Sequence, residues 1–223
     1  MEFNILDSTV SIIGKRKSGK SELTSYLLQL YHEQFDKIII ISGTESINQF
    51  YQKQKCIDTR FIYNEWDESL IESILQKMAS KNKGMNRHNP KMKHILLVLD
   101  DICSSFNTHS SKAFEKLFTI GRHYGITTIV LQQYVNHIPP VARNNSDYIM
   151  VSQSNTQGLE ILSTEFLFGN ISKAEFKEMY LENTSNYGFL LISTNCASDN
   201  DNLDEIYGCI RVPIEIVNAN KIH

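Results

Sequence analysis

STVSIIGKRKSGKSE, residues 8–22, runs a short β-branched strand into Gly14-Lys15-Arg16-Lys17-Ser18-Gly19-Lys20-Ser21. That octet meets G-x-x-x-x-G-K-[ST] at every position, the pattern of a phosphate-binding loop. The chemistry needs these residue types at this spacing. Gly14 and Gly19 let the backbone turn so that successive N–H groups point inward around an anion. Lys20 reaches the β- and γ-phosphates, and Ser21 offers its hydroxyl to Mg²⁺. A helix starting here adds the positive end of its dipole. Val10, Ile12 and Ile13 supply the strand, and Leu23, Tyr26, Leu27 and Leu30 recur at helical spacing behind the loop. A nucleoside triphosphate site is expected, with ATP and Mg²⁺ as its ligands. Lys15, Arg16 and Lys17 read either as phosphate contacts or as solvated side chains.

Outward from the loop, strand-like runs alternate with helix-like ones nearly to the end, the pattern of a parallel sheet with helices on both faces. Lys37–Ser42 is a continuous apolar run, as buried parallel strands are. His94–Leu99, Ile126–Leu131 and Tyr148–Val151 read the same way, and Arg60–Tyr63 is a weaker strand. Helical spacing runs over Trp66–Ser80, over Ser110–Tyr124 with Ser110 or Ser111 as N-cap, and over Ser172–Leu181. Lys81–His94 reads as a loop. Tyr187–Ser193 and Ile210–Val217 read as late strands at the sheet edge, with the acidic Ser198–Glu205 as an exposed loop between them. The expected fold is α/β, a P-loop NTPase of the RecA-like ASCE type with extra strands at the C-terminal end. Residues 1–223 are expected to form one domain, with a core over 8–153 and a strand-rich extension over 154–223.

Composition narrows the function classes. The 223 residues carry a formal charge of −3 and a pI of about 6.2. No global basic field draws such a chain to nucleic acid, which argues against a simple coating protein but leaves room for a ring with a basic lumen. Cys56, Cys103, Cys196 and Cys209 are scattered without metal-ligand spacing. The longest apolar runs, Ile38–Ile41 and Ile95–Leu99, are far short of a spanning helix. The N-terminus MEFNILDS has no basic n-region or apolar stretch, so export is not expected.

Ile95-Leu96-Leu97-Val98-Leu99-Asp100-Asp101 closes an apolar strand with two carboxylates, the Walker B form. A buried strand delivers Asp100 to the edge where α/β sheets bind ligands, and there it can hold Mg²⁺ opposite Ser21. Asp101 then stands where a carboxylate can deprotonate the attacking water. The competing reading is that the pair caps the next turn. Ile126–Leu131 runs into Gln132-Gln133, and Gln133 is the candidate γ-phosphate sensor if this strand lies between the loop strand and the Walker B strand. The other reading is an ordinary strand-end amide. Arg122 and Arg143 are candidate cations for a neighbour's transition state, as an arginine finger is. Otherwise Arg122 complements a helix C-terminus and Arg143 lies on the surface. Lys81, Lys83, Arg87, Lys91 and Lys93 form a basic cluster without an acid, read as a solvated loop or a DNA-backbone contact at the edge opposite the nucleotide.

Taken together, GKRKSGKS, ILLVLDD, GRHYGITTIVLQQ and IPPVARNNSDYIMV resemble the FtsK–HerA superfamily of DNA-pumping ATPases. Within it they are most similar to the genome-packaging ATPase of poxviruses, giant viruses and virophages. The likeness covers roughly residues 8–153. It implies ATP hydrolysis coupled to threading double-stranded DNA into a preformed capsid, by a homo-oligomeric ring of five or six copies. It further implies partners at a capsid vertex or membrane, and a place in the host cytoplasm, viral factory or virion. Carried over, Lys20 and Ser21 bind phosphate and Mg²⁺, Asp100 holds the metal, Asp101 is the base and Gln133 the sensor. Bacterial relatives usually show Asp-Glu where this chain has Asp-Asp. A nucleotide or small-molecule kinase and a nucleotide-dependent assembly switch share the loop and stand as alternatives. A GTPase is disfavoured because Asn82-Lys83-Gly84-Met85 is not N-K-x-D, and an ABC-type ATPase by the missing L-S-G-G-Q.

Overall fold

A computed structural model describes residues 3–102, 111–195 and 202–221. Its strands are β1 (Thr9–Ile13), β2 (Lys37–Ser42), β3 (Ile62–Tyr63), β4 (Ile95–Asp100), β5 (Ile126–Gln132), β6 (Tyr148–Val151), β7 (Gly188–Ser193) and β8 (Tyr207–Arg211). The helices up to the middle of the chain are α1 (Lys20–Tyr31), α2 (Glu45–Asn48), α3 (Glu68–Lys81), α4 (Lys112–Thr119) and α5 (Pro140–Asn144). Those that follow are α6 (Thr156–Glu165), α7 (Lys173–Asn183), α8 (Leu203–Ile206) and α9 (Ile214–Lys221).

The strands form one eight-stranded sheet in the order β3-β2-β4-β5-β1-β6-β7-β8. The first six in that row are parallel to their neighbours, and β7 and β8 are antiparallel additions. This is the expected α/β P-loop architecture with extra strands at one end. The β-branched runs explain the parallel core. Successive side chains point to opposite faces, so an unbroken apolar run must be covered on both. Ile38, Ile40, Val10 and Ile12 pack with Leu23, Leu27 and Leu28 of α1 on one face. Ile39, Ile41, Leu97, Leu99 and Val130 pack with α3, α4, α6 and α7 on the other. Each such side chain contributes about 1.5–3 kcal/mol on burial.

Helix starts follow local chemistry. Asp67 caps α3, Ser111 caps α4, Asn155 caps α6, and Ser172 with Glu175 forms a capping box on α7. Ser110, the other N-cap candidate for α4, lies outside the described residues. Helix α4 stops at Thr119, short of the expected Tyr124, and the chain tightens into a 3₁₀ turn over Gly121–Tyr124 before Gly125 at φ 74°.

Two expectations require correction. The strand expected over Ile210–Val217 is β8 at Tyr207–Arg211 followed by α9. Pro213 has no N–H for a ladder, and its carbonyl instead accepts from Ile216 N at 3.1 Å as a helix start does. The acidic loop expected over Ser198–Glu205 includes the start of α8; its residues up to 201 lie outside the described residues. Past residue 153 the described chain carries β7 and β8 but also α6, α7, α8 and α9, so it is more helical than the sequence suggested.

Candidate functional site

Strand β1 ends at Ile13, and the chain turns at once into the loop. Gly14 N donates to Gln132 O at 3.1 Å and Lys15 N to Gln153 O at 3.2 Å, tying the loop to the ends of both flanking strands. Lys17 and Gly19 take φ of 63° and 90°, the left-handed turns that aim backbone N–H groups into a common concavity. A Cβ on Gly14 would lie 2.5 Å from Ser18 Oγ and 3.0 Å from Ser152 Cβ, so a side chain there would force both serines to shift. Lys15, Arg16 and Lys17 are exposed.

The cradle has the properties an anion requires. Side chains cap α3, α4, α6 and α7, whereas none caps α1 at Gly19, which leaves its first-turn N–H groups without a side-chain acceptor. Ser18 Oγ is buried and, among the described residues, has no hydrogen-bond partner. Lys20 Nζ donates to Gly14 O at 2.7 Å and to Lys15 O at 3.2 Å, so the ammonium is held across the loop. Burial lowers its pKa from the ordinary lysine value, and Asp100 and Asp101 pull it back up. A polyanionic phosphate tail beside it would favour the charged ammonium further. Ser21, second residue of α1, is half-buried beside it.

Asp100 ends β4, and β5 lies between β4 and β1 as the sensor reading required. The Asp100 carboxylate is 8% exposed and accepts from the Tyr51 hydroxyl at 2.8 Å. Burial raises its pKa to about 6, against the lowering effect of the Tyr51 bond. Asp101 sits at φ 53°, and its Oδ2 accepts from Gln133 Nε2 at 3.3 Å. The structure therefore brings Lys20, Ser21, Asp100, Asp101 and Gln133 to one edge, the C-terminal ends of the parallel strands.

Glu45 and Tyr51 escaped the sequence reading. Glu45 is fully buried, and its two carboxylate oxygens accept from Tyr51 N at 3.1 Å and Gln52 N at 2.8 Å. It fixes the loop that presents Tyr51 to Asp100. No motif signals this, since a Glu after Gly-Thr reads as an ordinary helix-start acid.

Arg122 and Arg143 lie at the other edge. Arg122 Nη1 meets Asp147 Oδ1 at 2.9 Å, while Asp147 Oδ2 accepts from Thr9 N at 2.7 Å. Arg143 Nη1 meets both carboxylate oxygens of Glu165, at 2.6 and 2.7 Å. Both guanidiniums line a cleft of about 420 Å³ with Ser146, Phe166 and Thr194. The seven residues of β5 separate this edge from the phosphate loop, roughly 20 Å at the rise of a strand. Neither side chain spans that distance within one chain. The basic cluster lies at this same edge, before β4, with Lys93 paired to Asp36 at 2.8 Å.

The Asp100 pKa gives a pH prediction for the metal-free protein. Its folded value lies above the unfolded one of 3.8, so the folded state holds a proton that the unfolded state releases. The contribution of this group is most favourable below about pH 4 and is lost as pH rises through about 6. Asp100→Asn, which mimics the protonated form, is expected to melt above wild type at pH 8, by the equivalent of about 2–3 kcal/mol. The gap should shrink as pH falls below about 6 and close only below about pH 4; a gap independent of pH would remove the assignment.

A family model described as Poxvirus A32 protein matches residues 3–205. An uncharacterized protein, 075L, of Invertebrate iridescent virus 6 is 33% identical over 195 residues, covering 86% of this chain and 72% of its own. Among solved structures, the genome packaging NTPase B204 of Sulfolobus turreted icosahedral virus 2, solved with ATP-gammaS, superposes with a TM-score of 0.62. It is 21% identical, with 94% of this chain and 98% of that chain covered. The conjugation coupling protein TcpA of pCW3 gives a TM-score of 0.54 at 16% identity, over 96% of this chain and 65% of that chain. The fold shared with these structures is the P-loop ATPase fold, and the resemblance drawn from the motifs is borne out.

Proposed function

The chain belongs to the Poxvirus A32 protein family, and from that premise we propose that it is an ATPase that drives double-stranded DNA into a preformed viral capsid. One observation carries the reading. An uncapped, glycine-turned phosphate cradle at the end of β1 shares its sheet edge with two carboxylates from β4 and an amide from β5. In this reading Gly14–Ser21 hold the triphosphate tail and the Lys20 ammonium neutralises its outer oxygens. The Ser21 hydroxyl and Asp100 hold Mg²⁺, which when bound supplies positive charge against the phosphate oxygens. Tyr51 orients the Asp100 carboxylate for that task. Asp101 accepts the proton of the attacking water, and Gln133, already bonded to it, aligns that water.

We take the working form to be an oligomeric ring, a reading the arginines support. Since Arg122 and Arg143 stand far from their own loop, either could serve as finger only in the site of a neighbouring copy. Arg122, 35% exposed, is the freer; Arg143, at 15%, is bonded twice to Glu165. Among the described residues no helix is long and apolar enough to cross a membrane. We place the working protein at a capsid vertex or in the viral factory.

The test is phosphate release from MgATP with and without linear double-stranded DNA. DNA-stimulated turnover is expected. Transfer to a small acceptor would make the protein a kinase, and binding without turnover an assembly switch. In the same assay an inactive Arg122→Ala protein mixed with Lys20→Ala should regain activity through mixed interfaces. No recovery at any ratio would remove Arg122 from the neighbour's site.

A further inference from the structure

The turn between α7 and β7 sets an aromatic ring beside the phosphate loop. Gly188 N donates to Ser185 O at 3.0 Å and closes a four-residue turn. Its central residues, Asn186 and Tyr187, have φ of 51° and 58°. Positive φ at both positions is the type I′ pattern, which Asn-Gly satisfies without strain. Asn186 suits the first position. Tyr187 stands where glycine is favoured, and a bulky residue there persists only where its surroundings impose it. They do so here. Arg211 Nη1 donates to Ser185 O at 3.1 Å, and a Cβ on Gly188 would stand 2.1 Å from the Asn183 carbonyl oxygen. The ring does not serve the core, for Tyr187 is 71% exposed while its neighbour Phe189 is fully buried.

Its location is specific. A Cβ built on Gly19 would lie 3.8 Å from Tyr187 Cδ1 and 3.9 Å from Phe189 Cε2, so both rings flank the start of α1. Strand β7 runs antiparallel to β6, pairing Leu190 with Val151, which puts its first residue at the nucleotide edge. The sheet order β4-β5-β1-β6-β7 then fixes the sides. Asp100, Asp101 and Gln133 lie on one flank of β1 and mark the γ-phosphate end. Tyr187 lies on the opposite flank, where the nucleoside must leave the loop.

We propose that the Tyr187 ring, held by a strained turn against Gly19, is the platform on which the base of the bound nucleotide stacks. The proposal rests on the nucleotide reading of Gly14–Ser21. Stacking accepts any base face, so the platform supplies affinity with little discrimination among bases.

Calorimetry with Mg-ATPγS and with inorganic tripolyphosphate, on wild type, Tyr187→Gly and Tyr187→Phe, separates base from tail. Tyr187→Gly should melt no lower than wild type, because glycine adopts φ 58° without penalty. It should nevertheless bind Mg-ATPγS about 5- to 30-fold more weakly, with tripolyphosphate unchanged. Tyr187→Phe keeps the ring and should bind like wild type. Equal Mg-ATPγS affinity in Tyr187→Gly and wild type overturns the platform. So does equal weakening of both ligands, or a Tyr187→Phe protein as weak as Tyr187→Gly. Wild type that binds neither ligand would remove the cradle itself, and the platform with it.

Discussion

Lys20→Ala is expected to weaken nucleotide binding by about 100-fold or more while leaving the fold intact. The two halves of that statement have different causes. Lys20 begins α1 and donates to the Gly14 and Lys15 carbonyls, so it is the cation placed across the cradle. A charge-assisted bond to phosphate in a half-desolvated site is worth about 3 kcal/mol or more, on the order of 100-fold in affinity. The fold has less need of it. Burial already disfavours the ammonium, as its lowered pKa records, and alanine is the better helix former at the same position. Removing the cation does leave Asp100 without its opposing charge, so the carboxylate should hold its proton to higher pH. Calorimetric titration with Mg-ATPγS checks the first half, and a melting curve the second. Tight binding in a folded Lys20→Ala protein would remove the phosphate-loop assignment.

Much of this arrangement is legible in the sequence because the residues involved are neighbours along the chain. The octet over Gly14–Ser21 carries its own turn chemistry, and KIIIIS and ILLVLD, short apolar runs, read as strands covered on both faces. The position of β5 between β4 and β1 entered the reading only as a condition on the Gln133 assignment, and the sheet order meets it. What escaped detection depends on distant contacts or broken local rules. Tyr51 reaches Asp100 across 49 residues, and the partners of Arg122 and Arg143 lie 25 and 22 residues away. Helix α6 includes Gly158 and polar residues, so its apolar spacing is faint, and contact with the sheet stabilises it instead. Strand β8 gives way to α9 at Pro213, a stop signal overridden in the reading by the β-branched residues on either side. Tyr187 escaped because it contradicts the preference of its own turn. Local sequence rules fail where a position serves something other than the local backbone, and that is where function tends to be found.

Asp101→Asn is expected to leave ATP bound and stop its turnover, by about 10²- to 10⁴-fold. The substitution isolates the carboxylate from its scaffold. Asp101 sits at φ 53°, and asparagine adopts left-handed backbone at least as readily, so the turn after β4 keeps its shape. The amide oxygen can still accept from Gln133 Nε2, which holds the side chain in place. What disappears is the basic oxygen that takes the proton from water. Binding should improve, because Asp101 raises the Asp100 pKa by like-charge repulsion. Without that repulsion Asp100 ionises more readily at neutral pH and becomes a better partner for Mg²⁺. Asp101→Ala makes a poorer test, since alanine is strained at that φ and mixes a backbone effect with a chemical one. The signature is therefore a split: Mg-ATPγS affinity equal to or above wild type, and single-turnover phosphate release close to background. Hydrolysis near the wild-type rate would mean that another group takes the proton. Glu45 would then be the next carboxylate to substitute, since it is buried at the same edge and raises the Asp100 pKa in the same way.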